Sequence, residues 1–222
     1  MRRRERTAAN KGRIDILRRA ALAVLLISAV FILKPATSSK ALGSRSLRHS
    51  ATVSATGLTG YDLFGSTGNV YSFGSLNLGG MGSTPLNRPI VGAATTPSGL
   101  GYWEVASDGG IFSFGDAQFY GSTGAMTLNK PIVGMASTPD GKGYWLVASD
   151  GGVFNFGDAS FDGSLGHTSL GAPVIGMWRG ATSGYGLATS DGGFYGFGGE
   201  QFLGAASSLV LRYPIVGGSA TP

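Results

Sequence analysis

The chain has 222 residues, of which 39 are glycine, none is cysteine and 13% are charged. Glycine at that level without a strict every-third-residue pattern excludes collagen, and 42% hydrophobic residues exclude a disordered chain. Without cysteine there is no disulfide framework, no thiolate metal site and no lipidated N-terminal cysteine.

The net charge of +5 is concentrated at the start, where Arg2, Arg3, Arg4, Arg6, Lys11, Arg13, Arg18 and Arg19 face only Glu5 and Asp15. From Leu42 onward seven Lys and Arg stand against ten Asp and Glu, a net −3. A nucleic-acid binder needs its cations where it folds, so this distribution argues against one. Ala20–Leu33 follows as fourteen uncharged residues ended by Lys34 and Pro35. As a helix it spans about 21 Å, short of the roughly 30 Å hydrocarbon core, which fits the apolar region of a secretory signal peptide. Ser39-Lys40-Ala41 allows cleavage after Ala41, and Ala36-Thr37-Ser38 is a second candidate. The alternative is an uncleaved anchor over residues 17–34, its basic end cytoplasmic. Arg18-Arg19 also suggests twin-arginine export, in a poor sequence context. Either leading reading exports the remainder to the outside or the cell surface, with membrane contact only through this segment. Residues 42–56 have linker composition.

Residues 57–222 are a tandem repeat. Asn87–Leu128 and Asn129–Leu170 are nearly the same sentence, and Gly171–Leu211 is a degenerate third copy. Gly60–Leu86 supplies only the later part of a copy and Arg212–Pro222 only the earlier part. Pro89, Pro131, Pro173 and Pro214 are separated by 42, 42 and 41 residues, and Tyr61, Tyr102, Tyr144 and Tyr185 by 41, 42 and 41. The two fragments add to one whole unit, giving four units in all.

Within a unit the reading is β. Pro131–Ser137 and Gly143–Ser149 are short apolar runs rich in β-branched and aromatic residues, divided by Thr138-Pro139-Asp140-Gly141. Ser149-Asp150-Gly151-Gly152 divides the second run from Val153–Phe156, a strong hairpin signal. A shorter fourth strand is expected around Ser160–Gly163. Tyr144, Leu146 and Ala148 alternate with Trp145 and Val147, so the middle strand is apolar on both faces. These features predict an all-β four-bladed β-propeller of four-stranded blades, in which the C-terminal half-repeat completes the N-terminal one and closes the ring.

Pro131–Ser164, PIVGMASTPDGKGYWLVASDGGVFNFGDASFDGS, resembles the tandem repeat of actinobacterial secreted β-propeller-like proteins. In some of those, such repeats accompany cell-wall hydrolase domains. The resemblance covers residues 57–222 and implies an exported, non-catalytic surface module of Gram-positive actinobacterial type. It brings no catalytic residues to transfer. Gly186 in place of tryptophan and Gly199 in place of aspartate depart from the pattern, so the units need not all present one site.

No phosphate loop, GxGxxG, GxSxG or HExxH motif is present. His49 falls in the linker and His167 in an inter-unit loop, neither beside a partner suited to nucleophilic catalysis. Asp108, Asp150 and Asp191 recur in Ser-Asp-Gly-Gly turns, where aspartate bonds its own backbone. That motif is similar in outline to the sialidase aspartate box, with different spacing. No cofactor is expected. A calcium or other hard cation on the ring axis is conceivable, although no DxDxDG loop is present. The sets Tyr71/Phe112/Phe154/Tyr195 and Phe73/Phe114/Phe156/Phe197 read as packing between units.

Function is sought where the copies disagree. Glu104 stands where the other copies have leucine, and a carboxylate there should face a channel, a partner or solvent. Trp103 and Trp145 match Asp62 and Gly186, and Trp178-Arg179 replaces Ala136-Ser137. Drift in a decaying repeat explains these differences equally well. As ligand-binding candidates, Trp103, Glu104, Trp145, Trp178 and Arg179 suit sugar rings and hydroxyls. The expected function is a binding or adhesion module for cell-wall or other polysaccharide. The alternative is a protein–protein scaffold at the cell surface. A glycoside-active enzyme would need Glu104 to meet a second acid, Asp62 or Glu200, in one cleft.

Overall fold

The computed structural model describes residues 60–181 and 183–220. The leader at 1–41, the linker at 42–56 and the first residues of the repeat region lie outside the described residues, and with them the signal-peptide and anchor readings. No helix among the described residues is long and apolar enough to cross a membrane.

The described chain is all-β. The first unit is a hairpin, β1 (Tyr61–Phe64) and β2 (Val70–Phe73). Three antiparallel three-stranded sheets follow. The second unit holds β3 (Ile90–Thr95), β4 (Gly101–Ala106) and β5 (Ile111–Gly115). The third holds β6 (Ile132–Ser137), β7 (Gly143–Ala148) and β8 (Val153–Gly157). The fourth holds β9 (Val174–Arg179), β10 (Tyr185–Thr189) and β11 (Phe194–Phe197), with the middle strand again central. Each first strand carries a bulge at its second residue, Val91, Val133 or Ile175, where the ladder shifts by one.

The first strands of successive units lie side by side. Their approach is close: a Cβ on Gly92 would stand 3.5 Å from the Cα of Gly134, and one on Gly134 would stand 3.4 Å from the Cα of Gly176, both ordinary van der Waals contact. The turn after each middle strand is tied to the unit that follows. The amides of Ile90, Ile132, Val174 and Ile215 donate to the carbonyls of Ser66, Ser107, Ser149 and Ser190 at 2.8–2.9 Å.

The hydrophobic cores lie between units. One gathers Trp103 and Val105 of β4 with Tyr144, Leu146 and Ala148 of β7. The next gathers Trp145 and Val147 of β7 with Tyr185 and Leu187 of β10. The middle strand therefore sends alternate side chains to two different neighbours, which is why it is apolar throughout.

Two features of the expected propeller are not found. Each full unit has three strands rather than four, because residues around Ser160–Gly163 form a loop. Its carbonyls serve side chains: Ser160 O accepts from the Trp145 indole at 2.6 Å and Gly163 O from the Tyr185 hydroxyl at 2.5 Å. Nor is any ring closed. Among the described residues β1 pairs only with β2, and residues 214–220 belong to no strand. Tyr61 is 61% exposed where its counterpart Tyr102 is 1%, and Val216 is 89% exposed. Strands apolar on both faces are satisfied by stacking unit on unit, and that arrangement requires no closed axis.

Candidate functional site

Trp103 and Trp145 are core residues, 0% and 3% exposed. Each points toward the following unit, packed against Tyr144 or Tyr185 at centroid distances of 5.6 and 5.5 Å. Their indole N–H groups are used inside their own units, on Gln118 O at 2.7 Å and Ser160 O at 2.6 Å.

Glu104 does not face a channel or solvent. It is fully buried, and neither carboxylate oxygen has a hydrogen-bond partner. Burial pushes its pKa up to about 7, the nearby Met81 amide offsetting part of the rise. The adjacent Tyr102 hydroxyl is pushed up to about 12 by burial and by the charges of Glu104 and Asp62. Asp62 lies in the first unit and accepts from the Ser75 hydroxyl at 2.7 Å. Glu200 lies in the fourth unit, 3.4 Å from the Trp178 indole nitrogen. Of the two acids that a glycosidase reading would pair with Glu104 of the second unit, Asp62 thus lies in the first unit and Glu200 in the fourth.

Trp178 and Arg179 end β9, the first half-buried and the second exposed. Trp178 stands opposite Gly186 in the ladder and stacks on Phe194 at 5.6 Å. In the two preceding sheets the equivalent pairs are Ala94 with Trp103 and Ala136 with Trp145. The fourth unit thus keeps one tryptophan per pair and moves it to the other strand.

Asp108, Asp150 and Asp191 hold the turns after the middle strands. Each Oδ1 accepts from the amide two residues on, Gly110, Gly152 or Gly193, at 3.0, 3.0 and 3.2 Å. The intervening Gly109, Gly151 and Gly192 have φ of 80°, 81° and 88°, the left-handed region that glycine enters freely. Asp191 also accepts from the Thr189 hydroxyl at 2.6 Å, and these bonds lower its pKa.

A cleft of about 300 Å³ opens between the third and fourth units. Trp145 lines it, with Asp140, Asp158, Asp162, Ser160 and Ser183 supplying polar groups. Asp140 is held down at about 2 by the amide and ammonium of Lys142, the ammonium 3.1 Å away, and by the Thr138 hydroxyl. It is therefore a carboxylate under all ordinary conditions. One unit earlier the equivalent space is crossed by Tyr120, whose hydroxyl reaches Gly141 O at 3.1 Å. Asp162 occupies the position of Tyr120, and the shorter side chain leaves the cleft open. Asp162 was legible as a site by the same comparison between copies that singled out the tryptophans, since Tyr120 and Asp162 disagree at one repeat position.

The cleft offers carboxylate and hydroxyl groups at its rim, a combination that can bond the hydroxyls of a sugar, while the buried Trp145 presents only its edge. His167 is exposed in a turn and lines a different cavity, with Asp150 and Phe161. Among the described residues no group of His, Asp and Glu could hold a metal ion. No protein-family model matches the chain, and a search of curated proteins finds no match.

Proposed function

We propose that the repeat region is an exported, non-catalytic binding or adhesion module whose ligand is a cell-wall or other polysaccharide. The observation that carries this reading is the cleft between the third and fourth units, where Asp140, Asp158, Asp162 and Ser160 surround the edge of Trp145. Carboxylates accept hydrogen bonds from sugar hydroxyls. Export is supported by the basic stretch and apolar run at the start of the sequence. The direct test is binding of the full chain to a panel of glycans and isolated cell-wall fractions, alongside Asp162→Tyr. Tyrosine is native at the equivalent position, so the variant fills the cleft without disturbing the core. A saccharide bound by the parent and lost in Asp162→Tyr supports the proposal, and equal binding by both overturns it.

The scaffold reading is favoured by a separate observation, the exposed aromatic and aliphatic residues at the two ends of the array. These include Tyr61, Leu63, Tyr71 and Phe73 on the first unit, and Leu203, Tyr213 and Val216 beyond the fourth.

A further inference from the structure

The three junctions between successive units repeat one design. A tyrosine on the middle strand reaches back to a glycine carbonyl in the preceding unit. Tyr102 donates to Gly79 O, Tyr144 to Gly121 O at 2.6 Å, and Tyr185 to Gly163 O at 2.5 Å. Beside it a third-strand phenylalanine lies against the same glycine. A Cβ on Gly121 would stand 2.5 Å from Phe156 Cδ1, and one on Gly163 would stand 2.6 Å from Phe197 Cδ1. Each accepting glycine has positive φ, 94°, 138° and 134° in chain order.

Both halves of this junction recur at the ends of the array without a partner among the described residues. On the first unit Tyr61 and Phe73 stack on each other at 5.2 Å and are exposed, and among the described residues no strand pairs with the outer edge of β1. On the fourth, Gly204 has φ of 129°, matching Gly121 and Gly163, yet nothing lies within 4 Å of where its Cβ would be. Beyond it Ile215 donates to Ser190 O, as Ile132 does to Ser107 O, which puts residues 215–220 at the repeat position of a first strand. Their sequence, Ile-Val-Gly-Gly-Ser-Ala, parallels Ile90–Thr95.

We propose that the chain associates head to tail, residues 215–220 of one copy adding as a strand to the β1 edge of a second copy while Tyr61 and Phe73 of that second copy seat on Gly204. The register of β3 on β4 carries over to this junction. It sets Gly217 opposite Phe64, Gly218 opposite Leu63, Ser219 opposite Asp62 and Ala220 opposite Tyr61. The Ser219–Asp62 pair stands where the internal units place alanine with tryptophan or tryptophan with glycine, so the contact is polar on both strands. The surfaces that meet are different, so the interface is heterologous and propagates rather than stopping at a symmetric dimer. Strand addition supplies main-chain hydrogen bonds and the glycine seat sets the register. This inference is independent of the saccharide reading.

The absence of cysteine makes the test direct. Full-length chains carrying Asp62→Cys and Ser219→Cys are mixed under mild oxidation. A disulfide-linked dimer of the two is expected, with a yield about tenfold above that from pairing Asp62→Cys with an exposed out-of-register control, Ser208→Cys. The double variant D62C/S219C should give a ladder of linked chains, and adding Leu63→Arg to the Asp62→Cys chain should abolish linkage. Equal yields with the control, or linkage of the double variant only within single chains, overturns the proposal. Sedimentation of the unsubstituted full chain gives a second readout. Association that grows with concentration supports the proposal, and a monomer throughout the micromolar range overturns it.

Discussion

Trp178 and Gly186 face each other across the β9–β10 ladder, and the indole of Trp178 occupies the space that a side chain at position 186 would need. A Cβ on Gly186 would stand 2.8 Å from Trp178 Cε2. What reads in sequence as the loss of a conserved-looking tryptophan within the repeat is an exchange of large and small residues between paired strands. The aromatic volume of the unit is retained.

That exchange predicts strong coupling. Gly186→Trp alone overpacks the pair and should destabilise the fourth unit by about 1–3 kcal/mol. Trp178→Ala alone removes the indole stacked on Phe194 and should cost about 3 kcal/mol. Together the two substitutions recreate the arrangement of the third unit, so the double variant should be more stable than either single one. Urea denaturation of the three variants in a double-mutant cycle measures this. Additive losses would refute the exchange.

Glu104 makes stability depend on pH in the direction opposite to most carboxylates. Its folded pKa, about 7, lies above the ordinary value of 4.5. The unfolded chain therefore releases this proton first as pH rises. Stability is complete below about 4.5, declines between there and 7, and is lower by roughly 3 kcal/mol above that range. Glu104→Leu, the residue at Leu146 and Leu187, should remove this slope and raise the melting temperature at pH 8. Thermal melts of parent and variant across pH 4–9 test both statements.

The junction tyrosines hold neighbouring units through backbone atoms. Tyr144→Phe keeps the ring and removes the bonds to Gly121 O at 2.6 Å and Tyr120 N at 3.1 Å. A loss of about 1–3 kcal/mol is expected, because half-buried carbonyl and amide groups lose their partner. Hydrogen exchange should accelerate at Tyr120 while the β7–β8 ladder stays protected. Unchanged exchange at Tyr120 would show that the bond does not hold the junction.

The cleft between the third and fourth units should be transferable. Tyr120→Asp removes the side chain that crosses the equivalent space one unit earlier. It should open a second cleft walled by Trp103 and bordered by Asp116. If a saccharide binds the parent cleft, calorimetry should show added stoichiometry in Tyr120→Asp. Trp145→Ala is a poor substitute as a test, because emptying a site that is 3% exposed should cost about 3–5 kcal/mol and damage the fold along with any binding.

Much of this was legible in the residues. The period, the three strands of a unit and the Asp-Gly turns follow from local chemistry, and Asp150 with Gly151 specifies its hairpin without help from the remainder of the fold. Closure was not legible. Gly60–Leu86 and Arg212–Pro222 are complementary in sequence, and complementarity says nothing about whether the two halves meet in one molecule. The fourth strand failed because Ser160–Gly163 serves as an acceptor for Trp145 and Tyr185, a role set by tertiary contacts. The cost of burying an unpaired charge argues for Glu104 facing a channel, a partner or solvent. The cost is real, and it is lessened by protonation. Trp103 and Trp145 gave an aromatic signal that core packing and ligand stacking share. Only the burial of each ring separates those two roles.

The tyrosine at each junction bonds to main chain, and every residue has a carbonyl there. Such a coupler reads the path of the preceding backbone and, apart from the accepting glycine itself, is indifferent to its side chains. A unit can therefore diversify its loop and cleft residues, as Tyr120 and Asp162 illustrate, without spoiling its fit to the neighbour. Lengthening the array by copying a unit would likewise need no new joint, because both mating parts are duplicated along with it.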